Sequence, residues 1–273
     1  MRKDIILLIG IMLFLMLVLV FTRINKNDSI NIHVFNSGKA DAILISKKNK
    51  HIMIDTGEES NVDDILSYFE LNDIKKLDYL IITHFDKDHV GGASKIIDNI
   101  EIGRVLSSNV PKDSVYYNNY INSLDKKSII PMIVTDDYEF SISSITVYVY
   151  GPKVIYDKNE SNNSSLIIGL EYDNNAFLFM GDAENARIKD FVAINNKNYD
   201  LIKMPYHGNY LKRLDDLLDD VNPKYAIITS SFEDEKTVDL LNKRDINFYN
   251  TKDGSINIIS DGNNIRIFQN KDF

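Results

Sequence analysis

The sequence has no cysteine, no tryptophan and only 5 histidines in 273 residues. Without cysteine there is no disulfide scaffold, no thiolate-bound zinc or iron–sulfur cluster, no thiol nucleophile and no cysteine for lipid attachment. Any transition-metal site must be assembled from histidines and carboxylates. Basic side chains are also in deficit, 31 against 40 acidic, for a formal net charge of −9. That balance argues against a protein whose main task is to coat nucleic acid through bulk charge. What remains is ordinary for a globular chain, 44% hydrophobic and 26% charged, and long enough for a sizeable core.

One long uncharged run is present. Ile5 to Thr22, IILLIGIMLFLMLVLVFT, has the length of a short membrane-spanning helix. It is longer than the apolar core of a cleaved signal peptide, and it leaves through Val20-Phe21-Thr22-Arg23 with no small-residue cleavage site. The reading is a single-pass anchor in the cell membrane over residues 1–22, a polar linker over 23–29 and a body over 30–273. Arg2, Lys3 and the α-amine precede the run, and Arg23 and Lys26 follow it. The positive-inside rule then favours an extracytoplasmic body.

The body reads as short β-rich runs separated by turns. Strands are expected at 30–35, 42–46, 51–55, 77–83, 144–150, 165–172, 176–180, 200–204, 225–230, 256–260 and 264–268. Helices are expected at 61–71 with Asn61 as N-cap, at 183–194, around 211–218 and near 235–243. Residues 107–143 give the weakest pattern, with Tyr116 to Tyr120 in a loop or short helix. Two β-rich halves with helices predict two sheets packed face to face and helices outside.

Chemistry concentrates at strand exits. Thr83-His84-Phe85-Asp86-Lys87-Asp88-His89, followed by Val90-Gly91-Gly92, leaves the apolar run 77–83 with four metal-ligand side chains in six positions. A loop leaving a buried strand is rigid at its base and can aim several side chains at one point. Gly91 and Gly92 allow a tight turn or close packing. Asp182 follows the strand 176–180, where alone it reads as a helix N-cap. His207 follows the strand 200–204 in Met204-Pro205-Tyr206-His207-Gly208. His33 and His51 fall inside strands and read as ordinary strand residues.

The ordered set THFDKDHVGG, FMGDAE and MPYHG resembles the metallo-β-lactamase fold superfamily, and within it the hydrolase domain of ComEC-type DNA-uptake competence proteins. VFNSGKADAILIS with IMIDTG resembles that branch's opening strands, NNSSLIIGLEY a later strand, and TKDGSINIISDG its closing hairpin. The likeness spans about residues 30–268. The superfamily's HxHxDH motif has Asp86 at its second histidine, as in ComEC-type members.

The resemblance implies an α+β fold, a four-layer αββα sandwich, and a hydrolase using one or two divalent ions, zinc or manganese. By position His84 and Asp86 would hold one ion. Asp88, His89 and His207 would hold the second, and Asp182 would bridge. Asp55 would orient a ligand through a hydrogen bond, and Asp88 is the alternative proton acceptor in catalysis. Lys39, Lys87, Asn163 and Tyr206 are candidates for substrate contact. The implied substrate is a phosphodiester, nucleic acid or related; the alternatives are a carbonyl-directed hydrolase of lactones, thioesters or β-lactams, or a non-catalytic tethered binding module. Asn36, Lys39-Ala40, Tyr206 and Asn209 depart from the branch's pattern, no later Gly-His-Pro follows, and the third histidine of the first site has no counterpart. Oxygen-rich ligation at that site shifts preference toward manganese or magnesium.

Overall fold

Alternation along single strands sets the layers. In β2 (Ala42–Lys47), Ile43 and Ile45 enter one hydrophobic cluster while Ala42 and Leu44 enter another. In β10 (Asn175–Phe179), Phe177 and Phe179 share the first cluster with Ile43, whereas Leu178 enters a third. Strands with apolar residues on both faces must be covered on both faces. The covering is four layers, helices–sheet–sheet–helices.

The computed structural model describes residues 28–154, 156 and 158–269, together with 9, 11–13, 15 and 16. One sheet has the order β15-β14-β1-β2-β3-β4-β5-β6 and the other β13-β12-β11-β10-β9-β8-β7. The strands of the first are β1 (Ile30–Val34), β2, β3 (Lys50–Thr56), β4 (Lys76–Ile82), β5 (Glu101–Ser107), β6 (Met132–Ile133), β14 (Ile256–Ser260) and β15 (Ile265–Gln269). Those of the second are β7 (Tyr138–Ile142), β8 (Ile145–Tyr150), β9 (Ile167–Tyr172), β10, β11 (Leu201–Lys203), β12 (Tyr225–Ile228) and β13 (Asn247–Asn250). The pairs β3–β4 and β4–β5 are parallel in the first sheet, and β10–β11 and β11–β12 in the second.

The inter-sheet core joins Ile32, Ile54 and Ile81 to Val147, Leu170 and Leu201. Outside the first sheet lie α1 (Val62–Leu71), α2 (Lys87–Val90), α3 (Ala93–Asn99) and α4 (Val115–Lys126); Ile65, Phe69, Ile96 and Tyr120 pack there. Outside the second lie α5 (Asn185–Val192), α6 (Leu214–Val221) and α7 (Glu235–Lys243), with Ile188, Leu217 and Leu241 inward. Each such side chain contributes about 1.5–3 kcal/mol on burial. This rigid double sheet is the base from which the loops project.

The α+β sandwich expected from the strand pattern is therefore present, with local corrections. Asn61 does not cap α1 with its side chain; it ends a 3-10 turn, Glu59–Asn61, that runs into the helix. Asp182 is not an N-cap either, because α5 begins after Glu184. The vague region around Tyr116 to Tyr120 is a full helix, α4, capped by Ser114 accepting from the Tyr117 amide at 3.2 Å. The expected anchor, Ile5–Thr22, lies outside the described residues except for Ile9, Ile11, Met12, Leu13, Leu15 and Met16, which are helical and exposed. Among the described residues no helix is long and apolar enough to cross a membrane.

Candidate metal centre

The carboxyl ends of β3 and β4 in one sheet, and of β10, β11 and β12 in the other, open on the same edge of the sandwich. β3 delivers Asp55, whose φ of 55° lies in the left-handed region. Its buried carboxylate accepts from the Thr83 amide at 2.8 Å and the Thr83 hydroxyl at 2.6 Å. The loop after β4 carries His84 and Asp86, and α2 carries Asp88 and His89. α2 sits where it does because Gly92 lets the chain close on the end of β3: a Cβ there would stand 2.5 Å from the Thr56 carbonyl and from Val62 Cγ2. The Thr56 hydroxyl in turn donates to the His89 carbonyl at 2.8 Å. Gly91 and Gly92 thus serve close approach; neither has positive φ.

From the second sheet come Asp182, after β10, and His207, in the turn after β11. Tyr206 and His207 hold successive left-handed conformations, φ 49° and 53°. Such a backbone costs about 1–3 kcal/mol at each non-glycine residue, and it persists where the surroundings over-determine it. Here it turns the imidazole of His207 into the edge of the sandwich, where it is buried.

The buried groups converge. His89 Nε2 is 3.3 Å from Asp182 Oδ1, and His207 Nε2 is 3.0 Å from Asp182 Oδ2 and 3.3 Å from Asp88 Oδ2. The His84 and His89 rings are 4.1 Å apart between centroids, and those of His89 and His207 5.2 Å. Yet Nε2 of His84, His89 and His207, and Oδ1 of Asp182, are all buried without a hydrogen-bond partner of proper geometry. Buried polar groups are ordinarily satisfied, and an unmade bond costs about 1–3 kcal/mol each. Gathered in one small region, such atoms could hold a cation. With three imidazole nitrogens, carboxylate oxygens and no sulfur, the donor set fits zinc, manganese or a similar divalent ion.

Asp41 also lies in this cluster, its ligand atom within 4.8 Å of those of His89, Asp182 and His207. Its oxygens face elsewhere. Oδ1 accepts from the Thr229 hydroxyl at 2.6 Å and is 3.3 Å from His207 Nδ1, and Oδ2 pairs with the ammonium of fully buried Lys203. Asp41 therefore grips the outer nitrogen of His207, as Asp55 grips Nδ1 of His89 at 2.7 Å. His89 and His207 are each held through Nδ1 by a carboxylate, leaving Nε2 as the donor. Lys203 also donates to the Gly181 carbonyl at 3.0 Å, just before Asp182.

Among the protein groups alone the charges are strongly coupled. Burial resists protonation of His207, but Asp182 and Asp41 outweigh it and lift the imidazole to about 10. His89 is likewise raised, against its burial, by Asp182 and Asp55. Burial pushes Asp182 up, but His207 and His89 hold it well below the carboxylate range. Asp88 is held at about 2, burial being overcome by His207 and His89. His84 falls to about 4, by burial and by repulsion from His89.

The expected ligands Asp88, His89, Asp182 and His207 are thus brought together, with Asp55 behind His89. His84 adjoins them, and its Nε2 lies 3.8 Å from Asp86 Oδ1. Of the expected substrate contacts, Lys39 is exposed with its ammonium 5.1 Å from the centre of the Tyr206 ring. Lys87 pairs instead with Glu58 at 3.1 Å. Asn163 is buried and accepts from the Arg187 amide, anchoring α5. His33 and His51 stay in strands, bonded to Asn257 and Ser46. Asp41, Lys203 and Lys112 are not among the expected site residues; Asp41 sits in SGKADA, just before β2.

A sequence model of the metallo-beta-lactamase superfamily matches residues 37–230. The chain is 27% identical over 226 residues to recombination protein 2 of Haemophilus influenzae, covering 81% of this chain and 26% of that protein. It is 24% identical over 171 residues to ComE operon protein 3 of Bacillus subtilis, covering 61% and 21%. The chain therefore spans about a quarter of the length of these curated relatives. The likeness to ComEC-type proteins read from the motifs is carried by these two. Among solved structures, the metallo-beta-lactamase fold protein YhfI of Bacillus subtilis superposes with a TM-score of 0.53 at 10% identity, covering 82% of this chain and 96% of that one. That last likeness is one of fold.

Proposed function

The chain belongs to the metallo-beta-lactamase superfamily, and on that premise we propose that it is a metal-dependent hydrolase cleaving phosphodiester bonds in nucleic acid or a related polymer. The observation that carries this reading is the convergence of Nε2 of His84, His89 and His207 and Oδ1 of Asp182, all buried and unsatisfied. The substrate class rests on the likeness to recombination protein 2, whose name points to DNA, and to ComE operon protein 3.

His89, His207, Asp182 and Asp88 would hold a divalent ion, zinc or manganese, with His84 and Asp86 as the place for a second. Such ions supply Lewis acidity to a phosphoryl oxygen and acidify a water molecule near neutral pH. The chain's own part is orientation. Asp55 and Asp41 fix the ring planes of His89 and His207. Asp182 reaches both histidines. A carboxylate held at about 2 is a weak proton acceptor, so Asp88 serves better as an oxygen donor than as a general base. Lys39, stacked on Tyr206 at the turn that bears His207, is placed to meet an anionic polymer.

The proposal extends to location. Residues 1–22 would anchor the chain in the cell membrane with one pass, 23–29 would act as a linker, and the hydrolase body over 30–273 would face outward. The apolar composition of 5–22 supports this, as do the exposed helical residues Ile9, Met12 and Met16 within it.

The test is hydrolysis of single-stranded DNA and of bis(p-nitrophenyl) phosphate by the purified chain with added manganese or zinc. Turnover that falls to background in Asp182→Ala supports the reading. Hydrolysis of lactones, thioesters or β-lactams without phosphodiester turnover moves the reaction to carbonyl chemistry. A metal-loaded protein that turns over neither is a binding module.

A further inference from the structure

The two halves of the centre are unequally prepared. In the inner half, Nε2 of His89 and His207 face the Asp182 carboxylate at ion-pair distance, and neither they nor Asp182 Oδ1 make a hydrogen bond. The nearest ammonium among the described residues, Lys203, is 3.8 Å from Asp182 Oδ1, and each of the two histidines has a carboxylate behind its Nδ1. In the outer half, His84 Nε2 is also without a hydrogen bond, but among the described residues its Nδ1 has hydroxyls and no carboxylate as hydrogen-bond partners, Thr83 at 3.2 Å and Ser165 at 3.4 Å. Its intended partner Asp86 is already committed. The oxygen of Asp86 that lies toward His84 Nε2 is Oδ1, and that atom accepts from Lys112 Nζ at 2.5 Å and from the Ser161 hydroxyl at 2.6 Å. Lys112 comes from the segment between β5 and α4, and Ser161 from the 3-10 turn Lys158–Ser164 before β9. Two separate segments thus close on one carboxylate oxygen.

We propose that Lys112 takes the electrostatic place of the second metal ion: the centre binds one divalent ion tightly at His89, Asp182, His207 and Asp88, while the ammonium of Lys112 occupies the His84–Asp86 half. This rests on reading the cluster as a metal centre. An ion entering the outer half must displace Lys112 from Asp86 and then sit beside its charge. Neutral His84, without a carboxylate to raise its basicity, compensates poorly. The second positive charge facing an anionic substrate is then supplied by a side chain. Lys112 is 35% exposed, so its ammonium can reach both Asp86 and solvent.

The experiment is metal titration of the stripped full chain with manganese and with zinc, followed by calorimetry and by native mass spectrometry for stoichiometry. The wild type takes up one ion tightly and a second at least about tenfold more weakly, the size of a unit like charge near the site. Lys112→Met tightens the second event by about tenfold or more, Lys112→Arg keeps the wild-type pattern, and Lys87→Met, whose ammonium pairs with Glu58, changes neither event. Two equally tight ions in the wild type, or a second event unmoved by Lys112→Met, overturns the proposal and leaves the hydrolase reading standing. No tight ion at all in the wild type removes the metal centre, and both readings with it.

Discussion

His207 and Asp41 meet across the sandwich, Nδ1 to Oδ1 at 3.3 Å, although 166 positions separate them along the chain, and Lys203 closes the other side of the same carboxylate. The contact reproduces, on the second sheet, what Asp55 does for His89 on the first. Asp41→Asn keeps the shape and removes the charge. Metal affinity should fall by about 10–100-fold, the usual size for a partner behind a ligating histidine. Calorimetric titration checks it, with Asp55→Asn expected to lose a similar factor.

Asp41→Asn should also destabilise the fold, for a different reason. It leaves the ammonium of Lys203 buried with only the more distant Asp182 Oδ1, 3.8 Å away, as a carboxylate partner, and breaking a buried pair costs up to about 3–5 kcal/mol. Adding Lys203→Met removes the stranded charge. The double variant should therefore recover most of the stability in urea unfolding while its metal affinity stays low. Recovery of both would make Asp41 a structural residue only.

The stripped protein should have a stability optimum in weak acid. His207 is raised to about 10 in the folded state, so its contribution is complete below its unfolded value of 6.5 and is lost as pH rises through 10. Asp88 is depressed to about 2, so its contribution is complete above 3.8 and is lost as pH falls through 2. Both act fully between about pH 4 and 6.5. An ion must take the place of the proton on His207, so metal uptake should release protons and strengthen with rising pH. Unfolding curves across pH, and proton release in weak buffer, measure the two effects.

The layers of the fold were legible because they follow from side-chain periodicity. The run 77–83 is apolar on both faces and became β4 between two cores. By contrast β5 carries Gly103, Arg104 and Glu101 and shows no clean pattern; it is a strand because parallel pairing with β4 completes the ladder. The candidate ligands His84 and His89 were legible as a strand-exit motif, and Asp182 and His207 through the resemblance that joins the three motifs. Asp41 and Lys203 were not, since each does its work through a partner on another sheet: the Asp41–Thr229 bond joins residues 188 apart. Lys112, in a Pro-Lys-Asp turn, reads as solvated until the fold sets it against Asp86.

Gly92→Ala tests how far the glycine pair governs the site. The added Cβ would lie 2.5 Å from the Thr56 carbonyl and Val62 Cγ2, so α2 must shift off the end of β3. Forced overpacking of this kind costs about 1–3 kcal/mol. Because the Thr56 hydroxyl holds the His89 carbonyl, the shift should also weaken metal binding. A destabilised variant with unchanged affinity would uncouple the helix from the centre.

Metal loading itself should report which half of the centre matters. An ion that binds only the folded state at 100 times its Kd adds about 2.7 kcal/mol. For a chain of this size that raises the melting temperature by roughly 5–10 °C. Asp182→Asn should abolish the rise, because it removes the carboxylate that reaches both His89 and His207. Asp86→Asn should keep most of it, because the oxygen of Asp86 nearest His84 is already taken by Lys112 and Ser161. Equal losses in the two variants would mean that the halves bind as one unit and that Lys112 yields Asp86 to an ion without cost.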